Sequence, residues 1–398
     1  MSLAIIGGRC WLPHGPDKVN LLLQEGRIVK ISKQTFSADK VIDARNLDVL
    51  PGLIDAHVHF REPGQTHKED FLSGSLAAAA GGITSVLDMP NNTPPILTED
   101  LLDEKRELAK KSIVNYGFHF GSSAQTVDEL TPVRVASVKV FFDQSTGKLA
   151  IADESALKMI FSKALFVTAH AEGVNVQKAI SLAKECGTEL SVAHLSLASE
   201  LDMIRKGTVR GAEVCPHHLF LTKKDDLGPF TKMKPSLKSD QDRLALWQGI
   251  KDGTITHIAT DHAPHTIEEK ESEPVPYGVP GVETMLPMLL DAVNKGLLTL
   301  PDIIRLCSVN PAKIFRMDGY GAIDHGMGNL SIVDCHKMQK VNPDTMFSKC
   351  GWSPFAGKTL KGWPVHTIVN GQLVYEDGAH HIHPGKEVSY ESDRSNTD

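Results

Sequence analysis

Residues 50–60 read LPGLIDAHVHF, an apolar run that ends in two histidines separated by one residue. Seven similar runs follow, mostly with helix-like segments between them, and they are apolar almost throughout, as is typical of parallel strands covered on both faces. Eight strands in β/α alternation predict an α/β fold, a TIM (β/α)8 barrel, with a doubly wound open sheet as the alternative. The other runs are ITSVLDMP (83–90), IVNYGFHFG (113–121), ASVKVFF (136–142), ALFVTAHAE (164–172), ELSVAHLS (189–196), RGAEVCPHH (210–218) and ITHIATDHAP (255–264).

The two ends of the chain have a different hydrophobic pattern from this middle part. Short β-branched runs separated by turn residues occur near both ends, for example VNLLLQEGRIVKIS (19–32) and VHTIVNGQLVYEDG (365–378). Asn-Gly between two such runs is a strong signal for a β-hairpin. We therefore predict three parts: a small, discontinuous β-sandwich-like domain (1–49 and 325–385), a TIM-barrel catalytic domain (50–324), and a polar, frayed tail (386–398).

Composition excludes several classes of protein. Lysine and arginine number 42 against 49 acidic residues, so the net charge is −7, and no long basic run is present. A nucleic-acid groove or a polybasic membrane surface is not expected from this balance, and no apolar stretch is long enough for a transmembrane helix. The six cysteines are scattered, without a C-x-x-C pair, and the first residues lack the pattern of a signal peptide. We expect a reduced, cytoplasmic protein.

Five of the eight apolar runs carry a candidate metal ligand, a histidine, lysine or aspartate, in the run or at its end. Because the carboxyl ends of barrel strands form the active-site face, these side chains are expected to meet at one rim. Their types are ligands of a divalent metal such as Zn²⁺, once the lysine is modified as described below. The candidates are His57 and His59 in the first run, Lys139 in the fourth, His170 in the fifth, His194 in the sixth and Asp261 in the eighth.

The H-x-H pair alone is a weak signal, because a chain with 18 histidines in 398 residues is expected to contain about 0.8 such pairs by chance. Two occur, and we interpret the one at 381–383, in the polar end of the chain, as accidental. His57 and His59 differ because residues i and i+2 of a strand face the same side, roughly 6.5–7 Å apart. His170 or His194 alone would more often be a hydrogen-bonded core histidine, but their shared position at strand ends favours ligands.

Four further histidines near this rim are interpreted differently. His119, His217 and His218 are expected to be packing residues or residues that support the ligands. His262 is expected to point away from the metals, because its neighbour Asp261 points inward and successive side chains of a strand alternate.

Lys139 lies inside the run SVKVFF, where an ammonium would be buried at considerable cost unless paired or chemically altered. A lysine beside a cluster of cations has a lowered pKa and exposes a neutral amine. Such an amine can take up CO₂ to form a carbamate, an anion able to bridge two metals. The alternative is a lysine paired with a carboxylate at the end of the strand.

Five motifs together closely resemble the dihydroorotases of the amidohydrolase superfamily. They are PGLIDAHVHFREPG (51–64), MPNNTPP (89–95), TAHAE (168–172), IATDHAPHT (258–266) and PYGVPGVETMLP (276–287). The resemblance covers essentially residues 45–330, with matching flanks, and implies the metal-dependent amidohydrolase barrel with a small β domain built from both chain ends.

The resemblance also implies a cofactor, two Zn²⁺ per chain. His57, His59 and Asp261 would hold the first ion, and His170 and His194 would hold the second. Lys139, as N6-carboxylated lysine, would bridge the two. Some members of the family use an aspartate as this bridge, and Asp143 is the fallback here, although it falls past the strand.

For the substrate, the resemblance implies that Arg61, Asn91 and His265 bind the α-carboxylate, and that Pro280 and Gly281 offer backbone groups to the ring amide. A planar guanidinium with two parallel donors is well suited to a carboxylate. Lys234, at a position where relatives carry Arg or Asn, is also expected to bind the substrate, by neutralising its charge. The segment DQSTGK (143–148), with Ser145 and Thr146 at its tip, would be a mobile lid over the substrate.

The activity implied is the reversible hydrolysis of L-dihydroorotate to N-carbamoyl-L-aspartate, with Asp261 moving the proton. One alternative is a related cyclic-amide hydrolase, an allantoinase or hydantoinase, which need not bind an acidic substrate. Another is a non-catalytic barrel that serves as a scaffold for a transcarbamoylase, although such a protein is expected to lack metal ligands. The expected partner is a small-molecule substrate, with neither nucleic acid nor membrane, and the oligomeric state stays open, with a homodimer as one alternative.

Overall fold

The computed structural model of the chain describes residues 2–130, 134–144 and 149–391. Nineteen strands are assigned within these ranges. They are β1 (Ser2–Ile6), β2 (Arg9–Leu12), β3 (Gly15–Lys18), β4 (Asn20–Gln24), β5 (Arg27–Ser32), β6 (Lys40–Asp43), β7 (Asp48–Pro51), β8 (Leu53–Val58), β9 (Ile83–Asp88), β10 (Asn115–Gly121), β11 (Ser137–Phe141), β12 (Phe166–His170), β13 (Glu189–Val192), β14 (Gly211–Val214), β15 (His257–Ile258), β16 (Leu330–Lys340), β17 (Thr359–Val369), β18 (Gln372–Glu376) and β19 (Ala379–His380).

Most of the helices lie between the strands of the middle part. The α-helices are α1 (Phe71–Ala80), α2 (Glu99–Ala109), α3 (Glu154–Lys163), α4 (Val174–Cys186), α5 (Ala198–Lys206), α6 (Pro216–Phe220), α7 (Asp240–Lys251), α8 (Ile267–Lys270), α9 (Met285–Asn294), α10 (Leu300–Ile304) and α11 (Asn310–Ile314). Short 3₁₀ turns occur at Val127–Leu130, Gly228–Thr231 and Pro343–Thr345, and Arg305–Val309 forms a π-helical turn. Among the described residues, no helix combines the length and apolar character needed to cross a membrane.

The eight predicted strand runs form one parallel sheet, in the order β15-β14-β13-β12-β11-β10-β9-β8. Its two edges meet, because the backbone N–H of His59 donates to the carbonyl of His262 at 2.8 Å and Val58 forms a parallel bridge with His262. The predicted barrel is therefore confirmed, and the open doubly wound sheet is excluded. All residues of β8 to β12 are buried, which explains why these runs are apolar almost throughout.

Two further sheets are built from strands near the chain ends. The first has four strands, in the order β5-β4-β1-β6, and the second has seven, in the order β19-β18-β17-β16-β7-β2-β3. In the second sheet β7 pairs with β16, so that Leu330 is opposite Pro51 and the two ends of the chain are joined. This arrangement agrees with the expectation that both ends build one region, while the domain boundaries themselves stay a prediction.

The described part of the predicted tail is not frayed. The N–H of Tyr116 donates to the carbonyl of Lys386 at 3.0 Å, and the N–H of Val388 donates to the carbonyl of Tyr116 at 2.8 Å. The side chain of Val388 is buried in a cluster with Phe315 and Met317. Burial of this valine and two backbone hydrogen bonds hold the segment on the barrel, which its polar composition does not indicate.

Candidate metal centre and active site

The six predicted metal ligands lie at or near the carboxyl ends of barrel strands, where the fold places an active site. His57 is the second-last residue of β8 and His59 follows the strand directly, while Lys139 is in the middle of β11. His170 is the last residue of β12, and His194 and Asp261 follow β13 and β15 by two and three residues. All six side chains are buried.

His57, His59 and Asp261 converge on one point. The carboxylate oxygen Oδ1 of Asp261 lies 2.9 Å from Nε2 of His59 and 3.3 Å from Nε2 of His57. His194 belongs to the same cluster, because ligand atoms of His57, His194 and Asp261 all lie within 4.8 Å of one another. Separations of this size are those between atoms that share one ion, since metal–nitrogen and metal–oxygen bonds are about 2.0–2.2 Å long.

His170 and His194 form the other half of the cluster. Nδ1 of His170 lies 2.8 Å from Nε2 of His194, and the ring centroids are 4.5 Å apart. The ring of His57 lies 5.4 Å from that of His194, so the two halves are continuous. The structure thus brings His57 together with His170, which is 113 residues away in the sequence, and with His194, which is 137 residues away.

Lys139 is buried, and its Nζ has no hydrogen-bond partner among the described residues. Burial lowers the pKa of Lys139 to about 8, although Glu213 and Asp261 act in the opposite direction. A buried amine that is partly neutral near physiological pH, and that lacks a hydrogen-bond partner, is in the state required for reaction with CO₂. The alternative of a lysine in an ion pair is not supported by the described residues.

His59 and His194 are held in the neutral form that metal binding requires. Burial lowers the pKa of His59 to about 4, against the opposing effect of Asp261, and burial together with His170 and Lys139 holds the pKa of His194 well below its usual value. Burial would raise the pKa of Asp261, but His57 and the hydrogen bond from His59 outweigh it and hold this pKa well below the usual range. Neutral imidazoles around a carboxylate match the ligand set of a divalent cation.

Three residues of this region have the left-handed backbone conformation that favours glycine. Their φ angles are 63° for Arg61, 37° for His194 and 48° for Asp261. A non-glycine residue in this region costs on the order of 1–3 kcal/mol, and such residues concentrate at functional sites. At Asp261, the hydroxyl and N–H of the preceding Thr260 both bind the buried carboxylate of Asp55, which stabilises the strained segment.

Glu213, on β14, is a residue of this site that the sequence analysis did not identify. Its Oε1 lies 2.8 Å from Nδ1 of His57 and accepts the backbone N–H of His194 at 2.9 Å, and its Oε2 lies 3.5 Å from Nε2 of His257. A carboxylate on the far nitrogen of a histidine fixes the tautomer that leaves the other nitrogen free to bind a metal. The only sequence signal is a glutamate inside the apolar run RGAEVCP, which by itself does not indicate a partner.

We predict that Glu213→Gln lowers metal affinity by about 10- to 100-fold, because an amide orients the His57 ring less strongly than a carboxylate does. Competition with a chelator measures the affinity. Glu200→Gln is the matched control, since Glu200 is also a buried glutamate but binds the backbone N–H groups of Gly173, Ser196 and Leu197. Equal affinity in the Glu213 variant and the wild type would show that this contact does not support the metal site.

Arg61, Asn91 and His265 lie beside the cluster. Nη2 of Arg61 is 3.2 Å from Nε2 of His265, and Oδ1 of Asn91 is 2.6 Å from Nδ1 of His59. Arg61 is only 3% exposed, and burial lowers its pKa to about 10, so it is a buried cation at neutral pH. Lys68, which the sequence analysis did not identify, is also buried here, with Nζ 3.2 Å from Nδ1 of His265.

The other residues predicted to contact the substrate are Gly281, Pro280 and Lys234. Both backbone groups of Gly281 have intramolecular partners, because its N–H donates to Nδ1 of His262 at 3.1 Å and its carbonyl accepts the N–H of Thr284 at 3.0 Å. Contact of Gly281 with the ring amide stays a prediction. Pro280, next to it, is buried. Nζ of Lys234 donates to the carbonyl of Gln144 at 2.8 Å, within the described beginning of the predicted lid. Ser145 and Thr146 lie outside the described residues.

Asp143, His119 and His262 have other partners. Asp143 accepts the N–H of Glu172 at 2.7 Å and the amide of Asn175 at 2.8 Å, which are loop contacts. Nδ1 of His262 is engaged by Gly281, and Nδ1 of His119 lies 2.7 Å from the hydroxyl of Ser137. A second group of potential metal ligands within the described ranges consists of Cys215, His217 and His218, all buried.

Several known proteins are similar to this chain over most of its length. The model of the amidohydrolase family matches residues 49–374. A dihydroorotase from Methanosarcina mazei is 37% identical over 434 aligned positions, which cover 95% of each chain, and one from Pyrococcus furiosus is 36% identical over 377 positions, which cover 89% of this chain and 88% of that one.

The solved structures found by comparison include an L-hydantoinase (dihydropyrimidinase) from Arthrobacter aurescens. It has a TM-score of 0.90 at 27% identity and covers 97% of this chain, with 99% of its own length covered. A dihydropyrimidinase from Brevibacillus agri, at 23% identity and a TM-score of 0.89, shows the shared fold. The family model and the relatives above 30% identity each span most of the chain, which therefore belongs to the amidohydrolase family, within the group of the dihydroorotases.

Proposed function

We propose that the chain catalyses the reversible cyclisation of N-carbamoyl-L-aspartate to L-dihydroorotate and water, the third step of de novo pyrimidine biosynthesis. The observation that carries this proposal is a buried arginine, Arg61, in contact with His265 at the edge of the histidine cluster. A buried guanidinium at a substrate site is matched by a carboxylate, which dihydroorotate has and hydantoin lacks.

Two Zn²⁺ ions per chain are the cofactor that we propose. His57, His59 and Asp261 would hold one ion and His170 and His194 the other, with Lys139, carboxylated on Nζ, bridging them. The neutral imidazole of His59 and the partly neutral amine of Lys139, which has no hydrogen-bond partner among the described residues, fit this ligand set. When bound, the zinc pair would supply an activated water and a Lewis acid for the ring carbonyl.

The residues of the chain supply binding and proton transfer. Arg61, with His265 and Asn91, would hold the α-carboxylate and so orient the reacting amide toward the cluster. Asp261 has its carboxylate in the cluster, held as an anion by His57 and His59. In hydrolysis it would accept a proton from the attacking water and pass it to the leaving ring nitrogen, and in cyclisation it would remove the ureido proton.

A hydantoinase is the alternative function, because the solved structures compared above are hydantoinases or dihydropyrimidinases. Identity to the dihydroorotases is higher, 37% against 27%, and the buried Arg61 favours an acidic substrate. Assays with L-dihydroorotate, hydantoin and allantoin, together with zinc analysis, test the proposal. We expect turnover of dihydroorotate and two zinc ions per chain; turnover of hydantoin without turnover of dihydroorotate would overturn the assignment.

We predict that Arg61→Met raises the KM for dihydroorotate by about 10- to 100-fold, because a charge-assisted hydrogen bond contributes about 1.5–3 kcal/mol. Steady-state kinetics with dihydroorotate measure this. Arg205→Met is the control: this arginine on α5 pairs with Asp202 and Asp252 at the surface. An unchanged KM in the Arg61 variant would remove this residue from the carboxylate site.

Three statements about the protein in the cell stay predictions from the sequence. They are a cytoplasmic location, the absence of nucleic-acid and membrane partners, and the homodimer alternative. The same holds for contact of Lys234 or Pro280 with the substrate. For Lys234, a substrate would have to compete with the carbonyl of Gln144 that its ammonium binds.

A further inference from the structure

His265 has four polar partners, of which two are compatible with hydrogen on Nε2 of its ring and two with hydrogen on Nδ1. Next to Nδ1 lie a donor, Nζ of Lys68 at 3.2 Å, and an acceptor, Oε2 of Glu269 at 3.3 Å. Next to Nε2 lie an acceptor, the carbonyl of Tyr277 at 3.0 Å, and a donor, Nη2 of Arg61 at 3.2 Å. A neutral imidazole carries one hydrogen, so it satisfies either the pair Lys68 and Tyr277 or the pair Glu269 and Arg61.

The ring is neutral in this environment. Burial, Arg61 and Lys68 hold the pKa of His265 far below its usual value, and the opposing effects of Glu269 and the Tyr277 carbonyl are smaller. The position of the single hydrogen is therefore what distinguishes the two states of this residue.

Only one tautomer is suited to a substrate carboxylate. Nε2 of His265 and Nη2 of Arg61 lie side by side, so an anion bound to the guanidinium meets Nε2 as well. With hydrogen on Nε2, the ring N–H beside the Tyr277 carbonyl is shared with the anion, so that both the ring and the guanidinium donate to it. With hydrogen on Nδ1, the lone pair of Nε2 faces the carboxylate, and the two repel each other.

Lys68 has the position and the burial to decide between these states. Its side chain is 8% exposed, and Nζ lies 3.1 Å from Oε1 of Glu269 as well as 3.2 Å from Nδ1 of His265. The ammonium thus has a fixed location between the two, where it donates to Nδ1 and partly neutralises the carboxylate that would otherwise attract the Nδ1 hydrogen.

We propose that Lys68 is a positioning residue that holds His265 in the Nε2–H tautomer and thereby makes the pocket selective for a substrate carboxylate. The role in selectivity rests on the proposed function, whereas the tautomer itself is a property of the resting enzyme. Removal of Lys68 leaves Glu269 and Arg61 as the dominant partners of the ring, which favours hydrogen on Nδ1.

The first test measures the tautomer without substrate. Nitrogen-15 spectra of histidine-labelled, zinc-loaded enzyme at pH 8, with the His265 signals assigned from His265→Asn, distinguish a protonated from an unprotonated Nδ1. We expect Nε2–H in the wild type and in Glu269→Gln, and Nδ1–H in Lys68→Met. Nε2–H in Lys68→Met, or Nδ1–H in the wild type, would overturn the proposal.

The second test separates positioning from a merely structural role. We expect Lys68→Met to raise the KM for dihydroorotate about tenfold while kcat changes less than threefold, and Lys68→Arg to restore most of the KM. Lys349→Met is the matched control, because Lys349 anchors the same segment through Asp70 and the carbonyl of Thr66 without touching His265. Equal effects of the Lys68→Met and Lys349→Met changes, or a loss confined to kcat, would refute the role of Lys68.

The two tests also separate this proposal from the proposed function. If the wild type does not act on dihydroorotate, the proposed function fails, but the spectra still decide which tautomer Lys68 selects. If dihydroorotate is turned over and the Lys68→Met change alters neither the tautomer nor the KM, only the role of Lys68 fails.

Discussion

Lys139→Ala is expected to lose its bound metal and at least about 10³-fold of its activity, because the carboxylated lysine would supply the anion that bridges the two ions. The amine that this change removes is buried and without a hydrogen-bond partner among the described residues, so no ion pair of the fold is lost with it. Metal content per chain, measured after dialysis, and dihydroorotate turnover check the prediction. We expect short carboxylic acids to restore part of both, since the space left by the side chain admits an external carboxylate.

Two further variants make this test specific. Lys139→Met keeps most of the side-chain volume without the amine, so we expect it to lose metal without rescue by carboxylic acids. Asp143→Asn tests the fallback bridge, and we expect it to keep its metal, because Asp143 already binds Glu172 and Asn175. Full metal content in Lys139→Ala, or loss of metal in Asp143→Asn alone, would show that the bridge is not Lys139.

Asp261→Asn is expected to lose turnover by about 10³- to 10⁴-fold in both directions while it keeps the fold. An asparagine side chain has the same shape but cannot accept and return the proton, and general acid–base catalysis contributes about 10²–10⁴-fold. Loss of a carboxylate ligand adds to this effect, so metal content is measured alongside the initial rates of hydrolysis and cyclisation.

The fold of this variant is checked by its thermal unfolding. The contacts that position residue 261 come from its neighbour, since Thr260 binds Asp55 through both its N–H and its hydroxyl, and these contacts do not involve the altered side chain. We therefore expect a melting temperature close to that of the wild type. Near-normal turnover with bound metal would contradict the role of Asp261 in proton transfer.

Much of the fold could be predicted from the sequence because strand burial leaves a local signal. Each barrel strand is covered on both faces, so its apolar run is visible without knowledge of its neighbours, and the histidines at the ends of these runs indicate the active-site rim. The predicted ligands His57, His59 and Asp261 lie together in the structure for this reason. The frayed tail was a wrong expectation for its described part, because its two hydrogen bonds to Tyr116 on β10 are contacts distant in sequence.

The residues that support the site, Glu213 and Lys68, could not be predicted from a local sequence pattern. Glu213 and His57 are 156 residues apart, and Lys68 and His265 are 197 residues apart, so neither pair belongs to a recognisable local pattern. The partner of the Gly281 N–H likewise depends on the orientation of the His262 ring, which the sequence does not show.

The barrel, its active-site rim and the types of side chain at that rim could be predicted from the sequence. They follow from burial and strand periodicity, which are visible along a short stretch of chain. The tertiary contacts determine which carboxylate orients the ring of His57, and they leave the amine of Lys139 without a hydrogen-bond partner among the described residues. Those properties depend on distances of about 3 Å between residues from different strands and loops, since hydrogen bonds and pKa shifts fall off steeply with distance and direction.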